Sequence, residues 1–196
     1  ILLARLSRSV LIHEICVATS HNFENDELCD AIQKLGYRVI RGSETDVLQR
    51  FWDAAKATSA DIVVRITGDC PVIDPKLVDQ VIEMYLDAHV DYASNIDPPS
   101  FPDGLDVEVF SRQSLDAANI GAESDFEREH VTPFIRNGNI KKLNLTNDHD
   151  TSDLRLTLDE PEDLILLQNV FDRFQPDIHF SHMQLENLLL NDARLL

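Results

Sequence analysis

Two short stretches of this chain each place an aspartate where an apolar strand meets a turn with proline. Residues 65–71 follow the apolar residues 62–64 of the run 61–64 and contain Asp69, and residues 156–164 contain Asp159. Ligands of open α/β sheets bind outside the carboxyl ends of strands, so the two aspartates could meet around one hard cation. Magnesium carried by nucleotide phosphates is usually held by one or two carboxylates. The alternative for each aspartate is a turn former or a residue that favours a helix N-terminus.

Two arginines accompany these aspartates. Arg65 lies inside the apolar strand before Asp69, where a cation needs a partner. That partner could be a substrate carboxylate or phosphate, or a neighbouring acid. Arg50 could contact a ligand, or form a surface pair with Asp46 four residues earlier on the same helix.

A turn-rich segment at residues 97–104 leads into a second group of candidates. Asp106 and Glu108 alternate with apolar residues and therefore share one face of a strand. Together with Asp103 they could hydrogen-bond sugar hydroxyls, or they could form an acidic hairpin face in solvent. His130 could bind a ligand or act as a general acid or base, although a lone histidine among charged residues often does neither.

The elements that must position these residues alternate between short apolar strands and helices, which predicts βαβ units and a mainly parallel sheet. The fold class is therefore α/β. The predicted strands cover residues 14–20, 37–40, 62–67, 92–95, 106–110, 143–145 and 154–158. The predicted helices cover residues 1–10, 25–35, 43–58, 74–88, 124–132 and 161–174, with one more after residue 176. Ser124 and Glu127 form a capping box, and Ser43 with Asp46 resembles one.

Length and composition set the class of protein. The 196 residues predict a single domain, 1–196, with an insertion at 95–112. Because 17 basic residues face 35 acidic ones, the formal charge of −18 opposes binding to nucleic acid or to an anionic membrane. The three cysteines match no zinc pattern and suit a reducing compartment, so we expect a cytoplasmic protein. No apolar run reaches the roughly 20 residues of a membrane span.

The ordered set of motifs resembles the sugar cytidylyltransferases, in the branch of acylneuraminate cytidylyltransferases and spore coat polysaccharide biosynthesis proteins. The matching stretches are residues 17–20, 42–50, 63–75, 101–110, 128–133 and 154–164. The resemblance implies a Rossmann-like nucleotide-diphosphosugar transferase fold and commonly a homodimer. It also implies that a hydroxyl of an acidic, sialic-acid-like sugar attacks the α-phosphate of CTP and releases pyrophosphate, with Mg²⁺ as the cofactor.

By position, the resemblance makes Asp69 and Asp159 the metal carboxylates and Arg65 a further catalytic residue. It makes the insertion part of the sugar pocket and of the dimer contact, with substrate contacts from Arg50, Asp103, Asp106, Glu108 and His130. In the family, a strand and a glycine- and arginine-containing loop that cradles the triphosphate precede the position of Ile1. We therefore expect the natural protein to continue upstream.

Two other functions remain compatible with the sequence. One is a related nucleotidyltransferase that uses another base or acceptor. The other is a non-catalytic domain that binds sugar or assembles with a partner.

Overall fold

The computed structural model describes residues 1–192, in which strands and helices alternate as the sequence predicts for the α/β class. The strands are β1 (Cys16–Ser20), β2 (Arg38–Gly42), β3 (Ile62–Arg65), β4 (Tyr92–Ser94), β5 (Glu108–Ser111) and β6 (Lys142–Asn144). The helices are α1 (Leu2–Leu6), α2 (Asp26–Lys34), α3 (Val47–Thr58), α4 (Pro75–Ala88), α5 (Arg112–Gly121), α6 (Asp125–His130), α7 (Pro133–Asn137), α8 (Pro161–Phe174) and α9 (His182–Asn191). A 3-10 turn, Phe23–Asn25, precedes α2.

Local capping explains where the helices next to the candidate site begin. The Asp74 carboxylate accepts a hydrogen bond from the Lys76 amide at the start of α4, and Pro75 follows it. Ser124 and Glu127 form the predicted capping box of α6. Before α3, the Ser43 hydroxyl accepts the Asp46 amide at 3.1 Å, as in the expected capping pair, but the N-cap residue is Asp46, which accepts the Gln49 amide, and the helix starts at Val47.

The strands form two sheets. Strands β1 and β2 pair in parallel, and the remaining strands form a four-stranded sheet in the order β3-β5-β4-β6. In this sheet β5 runs antiparallel to β3 and β4, whereas β4 and β6 are parallel. The α/β class is confirmed: one sheet is parallel and the other is mixed, because β5 is antiparallel to both of its neighbours. The segment from residue 95 to 107 joins the antiparallel pair β4 and β5, as expected for an insertion of hairpin type.

The elements of the structure differ from the expected ones in several places; α1, for example, ends at Leu6 rather than at residue 10, and α7 was not expected. Residues 154–158 are extended but form no ladder: they make one isolated bridge, between Arg155 and Asp103, and single backbone bonds to the neighbouring loops. Helix α5 was not predicted. Its start is fixed by the Ser111 hydroxyl, which accepts the Ser114 amide, and its inner face consists of Leu115 and Ala118. The apolar residues of this segment, at positions 115, 117, 118 and 120, lie on different faces of the helix and give no clear helical period in sequence.

The hydrophobic core holds the chain segments that carry the candidate acidic residues. Leu105 and Leu156 are fully buried in one hydrophobic cluster, which also contains residues of α8 and α9. They anchor the two segments that carry the candidate acids. A buried cation, Arg5, fixes α1: its guanidinium donates to the carbonyls of Val72, Ile73, Ile178 and Phe180.

Candidate active site

Three loop segments that carry candidate aspartates meet at one place. The Leu158 amide donates to the Asp69 carbonyl at 2.8 Å, which joins the Asp69 turn to the segment before Asp159. Asp103 lies against the same segment: its amide donates to the Leu154 carbonyl at 2.9 Å, and its carbonyl accepts the Leu156 amide at 2.8 Å. The backbone thus brings the predicted metal aspartates and one predicted sugar contact to one edge of the molecule.

This junction depends on a glycine. Gly104 has φ of +102°, a conformation that side-chain-bearing residues rarely adopt. A Cβ atom there would lie 2.8 Å from the Leu156 carbonyl carbon and 2.9 Å from its oxygen. The two segments can approach this closely only because residue 104 has no side chain.

The carboxylates crowd one another. Burial, followed by the charge of Asp69, raises the pKa of Asp103. Burial, followed by the charges of Asp103 and Glu108, raises the pKa of Asp106 to about 6, although Arg65 acts in the opposite direction. Negative charge in this region is therefore incompletely neutralised, which favours the approach of a cation.

The same carboxylates do not form a complete metal cage. Within residues 1–192, no group of three or more His, Cys, Asp or Glu side chains has the geometry to hold a metal ion. Any ion bound by Asp69 and Asp159 would need further oxygen ligands, and a nucleotide phosphate or water supplies such ligands.

Asp159 is oriented by neighbours that the sequence reading did not single out. Its Oδ2 accepts hydrogen bonds from Arg155 Nη2 and the Thr157 hydroxyl, both at 2.8 Å, and the bond from Arg155 keeps its pKa low. Asp163 accepts from the Asp159 amide at 3.0 Å and from the Glu160 amide at 2.8 Å, which fixes the turn. The signal in the sequence is spacing, because Arg155 and Asp163 lie four residues on either side of Asp159.

Glu108 is buried, so the alternative interpretation of an acidic hairpin face in solvent is wrong for this residue. Its side chain is 1% exposed and accepts three hydrogen bonds. Oε1 accepts the hydroxyls of Tyr92 and Thr132, each at 2.6 Å, and Oε2 accepts Arg65 Nη1 at 2.5 Å. Arg65 thus has a neighbouring acid as its partner, while Asp103 and Asp106 are the more accessible acids of the insertion.

Arg50 does not pair with Asp46, so the expected surface pair was wrong. Arg50 Nη1 donates to the carbonyls of Ser43 and Glu44, at 2.6 and 3.0 Å, and its Nε is buried without a partner in residues 1–192. Asp46 pairs instead with Arg128, through contacts of 2.6 and 3.0 Å. Arg50 therefore holds the turn before α3 and keeps one donor free.

His130 is exposed at the end of α6, and its ring centroid lies 4.5 Å from that of Phe126. In the described part of the chain it forms no hydrogen bond with the candidate carboxylates. The residue that follows it, Val131, is fully buried and has φ of +70°. The structure therefore brings together Asp69, Asp103 and Asp159 as one group and Arg65 with Glu108 as another, and leaves His130 outside both sets of contacts.

An α/β fold that gathers aspartates where ligands of such folds bind is compatible with an enzyme that acts on a nucleotide. A model of the cytidylyltransferase family matches residues 1–188. An uncharacterized protein of Methanocaldococcus jannaschii is 38% identical over 91% of this chain and 75% of its own length. The spore coat polysaccharide biosynthesis protein SpsF of Bacillus subtilis is 33% identical over 86% of this chain and 72% of its own length. The chain belongs to the cytidylyltransferase family, and it is a nucleotidyltransferase enzyme.

Solved structures agree with this assignment. A cytidylyltransferase from Leptospira borgpetersenii superposes with a TM-score of 0.93 at 30% identity, over 99% of this chain and 83% of that one. The synthetase for CMP-2-keto-3-deoxy-manno-octonic acid, in complex with CTP, shares the fold with a TM-score of 0.63 at 14% identity, over 87% of this chain and 86% of that one. The predicted resemblance to sugar cytidylyltransferases is confirmed. Within residues 1–192, no helix combines the length and the apolar character that crossing a membrane requires.

Proposed function

We propose that this protein transfers CMP from CTP to a hydroxyl of an acidic, sialic-acid-like sugar for the synthesis of a surface polysaccharide. The hydroxyl oxygen forms a bond to the α-phosphorus, the bond from that phosphorus to the bridging oxygen breaks, and pyrophosphate leaves while the hydroxyl proton is released. The observation that carries the proposal is the junction at Leu158 and Asp69, since it gathers Asp69, Asp103 and Asp159. The similarity to SpsF, a spore coat polysaccharide biosynthesis protein, supports the use of the resulting CMP-sugar in the synthesis of a polysaccharide.

Asp69 and Asp159 would hold Mg²⁺. Their donor set fits this ion, because both supply carboxylate oxygens, the Asp159 side chain is 51% exposed, and its low pKa keeps it ionised. Mg²⁺ bound there would lower the negative charge on the phosphates during transfer. The raised pKa of Asp103 and Asp106 indicates that positive charge is in short supply at this point of the free protein.

Arg65 would bind the anionic group of the sugar. Its side chain is 16% exposed, and Nη1 is engaged by Glu108, so the edge formed by Nε and Nη2 remains for a ligand. This edge matches the two oxygens of a carboxylate. Asp103 and Asp106 would accept hydrogen bonds from sugar hydroxyls, and the role we propose for Glu108 is to hold Arg65.

Two further side chains complete the proposed substrate contacts. Arg50 would use its free Nε toward the substrate, and His130 would contact it from the end of α6. We also propose a homodimer in the cytoplasm. Most side chains of residues 101–110 are buried in their own chain, so a dimer contact there would rest on the few accessible ones.

The test measures pyrophosphate release from CTP with a panel of acidic sugars, with and without Mg²⁺. We expect transfer that needs Mg²⁺ and that is lost in Asp69→Asn while the far-ultraviolet circular dichroism is unchanged. Replacing CTP by the other nucleoside triphosphates tests the specificity for the nucleotide base. Neutral analogues of the sugars test whether the acidic group of the sugar is required. Equal rates with all triphosphates, or with neutral sugars, would contradict the proposed substrates, and full activity of Asp69→Asn would remove this residue from the site.

A further inference from the structure

We propose that Tyr92, Glu108 and Thr132 form a positioning cluster that fixes the orientation of Arg65 before the sugar binds, and that the turn at Val131 places the Thr132 hydroxyl in this cluster. The proposal rests on the proposed function insofar as Arg65 receives the sugar anion. It assigns a task to residues that contact Arg65 directly or through Glu108 and that are not themselves expected to touch substrate.

The first step concerns Glu108, whose carboxylate is buried between three donors. The hydroxyls of Tyr92 and Thr132 both donate to Oε1, each at 2.6 Å. A buried carboxylate with two hydroxyl donors on one oxygen has its plane fixed, and its second oxygen then faces in one direction. That direction is toward Arg65, whose Nη1 lies 2.5 Å from Oε2.

The second step concerns the part of Arg65 that the protein leaves unused. Nε is buried and has no hydrogen-bond partner in residues 1–192, and Nη2 donates to none of these residues. The guanidinium carbon lies 5.9 Å from the centre of the Phe51 ring. This ring restricts the movement of the guanidinium on a second side. Glu108 and Phe51 together hold a cation whose two-donor edge is unpaired. A buried donor without a partner favours a ligand that can satisfy it.

The third step concerns the turn that carries Thr132. Val131 has φ of +70° and ψ of −56°, and the Thr132 amide donates to the His130 carbonyl at 2.8 Å. This is a three-residue turn that is rarely observed and strained, and a β-branched residue is among the least suited to it. Such a conformation persists only where the surrounding structure holds it, and strained residues of this kind concentrate at functional sites.

The fourth step shows what holds the turn. On one side, Arg128 in α6 contacts the Asp46 carboxylate through Nε and Nη2. On the other side, Pro133 starts α7, and Val131 and Ile135 are buried in one hydrophobic cluster. Asp46 caps α3, the helix that also carries Phe51. The groups that confine Arg65 therefore belong to one connected framework.

The experiment compares Thr132→Val, which keeps the shape and removes the hydroxyl, with Thr132→Ser, which keeps the hydroxyl. Tyr92→Phe removes the second donor. Thr58→Val and Tyr85→Phe are matched controls, because each removes a hydroxyl that is hydrogen-bonded outside the Glu108 cluster.

The first measurement needs no turnover. Nitrogen-15 relaxation of the Arg65 Nε–H group, assigned with Arg65→Lys, reports the mobility of the guanidinium in the ligand-free protein. We expect an order parameter of about 0.85 in the wild type, in Thr132→Ser and in both controls, and a value below about 0.6 in Thr132→Val and Tyr92→Phe. An unchanged order parameter in Thr132→Val and Tyr92→Phe would overturn the proposal.

The second measurement is the steady-state KM for each substrate. We expect the KM for the acidic sugar to rise about tenfold in Thr132→Val, while the KM for CTP stays within about twofold. In Thr132→Ser both KM values should stay close to those of the wild type. Equal changes in the KM for the sugar and the KM for CTP would indicate a structural role only and would refute the positioning role. If the wild type transfers no CMP to any acidic sugar, the proposed function fails, while the relaxation measurement still decides whether the cluster orients Arg65.

Discussion

Replacing Asp106 by asparagine should make the free protein more stable at neutral pH. The Asp106 carboxyl lies in the insertion, where burial and the charges of Asp103 and Glu108 raise its pKa from 3.8 to about 6. Among the described residues no donor forms a hydrogen bond with this carboxyl, so asparagine removes a charge without breaking a bond. The charge on Asp106 is therefore expected to serve ligand binding rather than folding.

The sign and size follow from linkage. Below the unfolded-state pKa of 3.8 the group is protonated in both states and contributes nothing. As pH rises, the unfolded chain ionises first, and the native state loses stability until pH passes the folded pKa of about 6. A rise of about 2 in pKa corresponds to about 3 kcal/mol at pH 7.5, and to roughly half of that at pH 5.

The assay is urea unfolding of the wild type and Asp106→Asn between pH 5 and 7.5, with divalent cations removed by a chelator. The free energy of unfolding of Asp106→Asn should exceed that of the wild type at both pH values, and the difference should roughly double over this range. Asp87→Asn, on the exposed side of α4, removes one negative charge at a distance and serves as the control. The assignment of buried negative charge to Asp106 would be refuted if the difference in unfolding free energy between variant and wild type did not change with pH. It would also be refuted if the variant were less stable than the wild type at pH 7.5.

Three further substitutions test other parts of the site. Gly104→Ala should lower the free energy of unfolding by about 3 kcal/mol, because the new Cβ overlaps the Leu156 backbone and φ is positive. Gly36→Ala should lower it by only about 1 kcal/mol, because φ is +88° but no atom lies within 4 Å of the Cβ. Equal losses in urea unfolding would contradict the close approach of Gly104 to Leu156. Asp163→Ala should weaken Mg²⁺ binding in the presence of CTP about tenfold in calorimetry, because the turn that orients Asp159 loses its hydrogen-bond acceptor. An unchanged affinity for Mg²⁺ would show that Asp163 does not orient Asp159 for the metal. Gly68→Ala should raise the KM for CTP without lowering stability, since a Cβ there meets no protein atom within 4 Å; an unchanged KM would show that no ligand approaches this backbone.

Local chemistry made several elements predictable. The capping box of α6 and the Asp74-Pro75 start of α4 are encoded within four residues, so they could be read from sequence and are confirmed. Helix α8 starts at Pro161 and ends at Phe174, the limits given by the proline and by the apolar period. The α/β class followed from the alternation of these elements.

The contacts within the site depended on distant parts of the chain. Asp106 and Glu108 present the same pattern in sequence, yet Glu108 is buried and Asp106 is partly accessible. The partners of Glu108 lie 16, 24 and 43 residues away, on three different segments. Alternation shows that two acids share a face but does not show which of them meets a cation from another strand. The pairing of Asp46 with Arg128, 82 residues away, was missed for the same reason, because a partner four residues away seemed sufficient.

The charge of the site constrains how the substrates arrive. The protein carries a formal charge of −18, and the pKa values of Asp103 and Asp106 are both raised, first by burial and then by the charge of neighbouring carboxylates. Under the proposed function, CTP without a metal would meet this field directly, whereas its Mg²⁺ complex carries less negative charge and brings the cation that Asp69 and Asp159 need. Asp159 is already bound to Arg155, which also contacts Asp163 at 2.9 Å and can remain there when Mg²⁺ takes the Asp159 oxygens. Metal and nucleotide are therefore expected to bind together, and Mg²⁺ alone should bind weakly to the free protein.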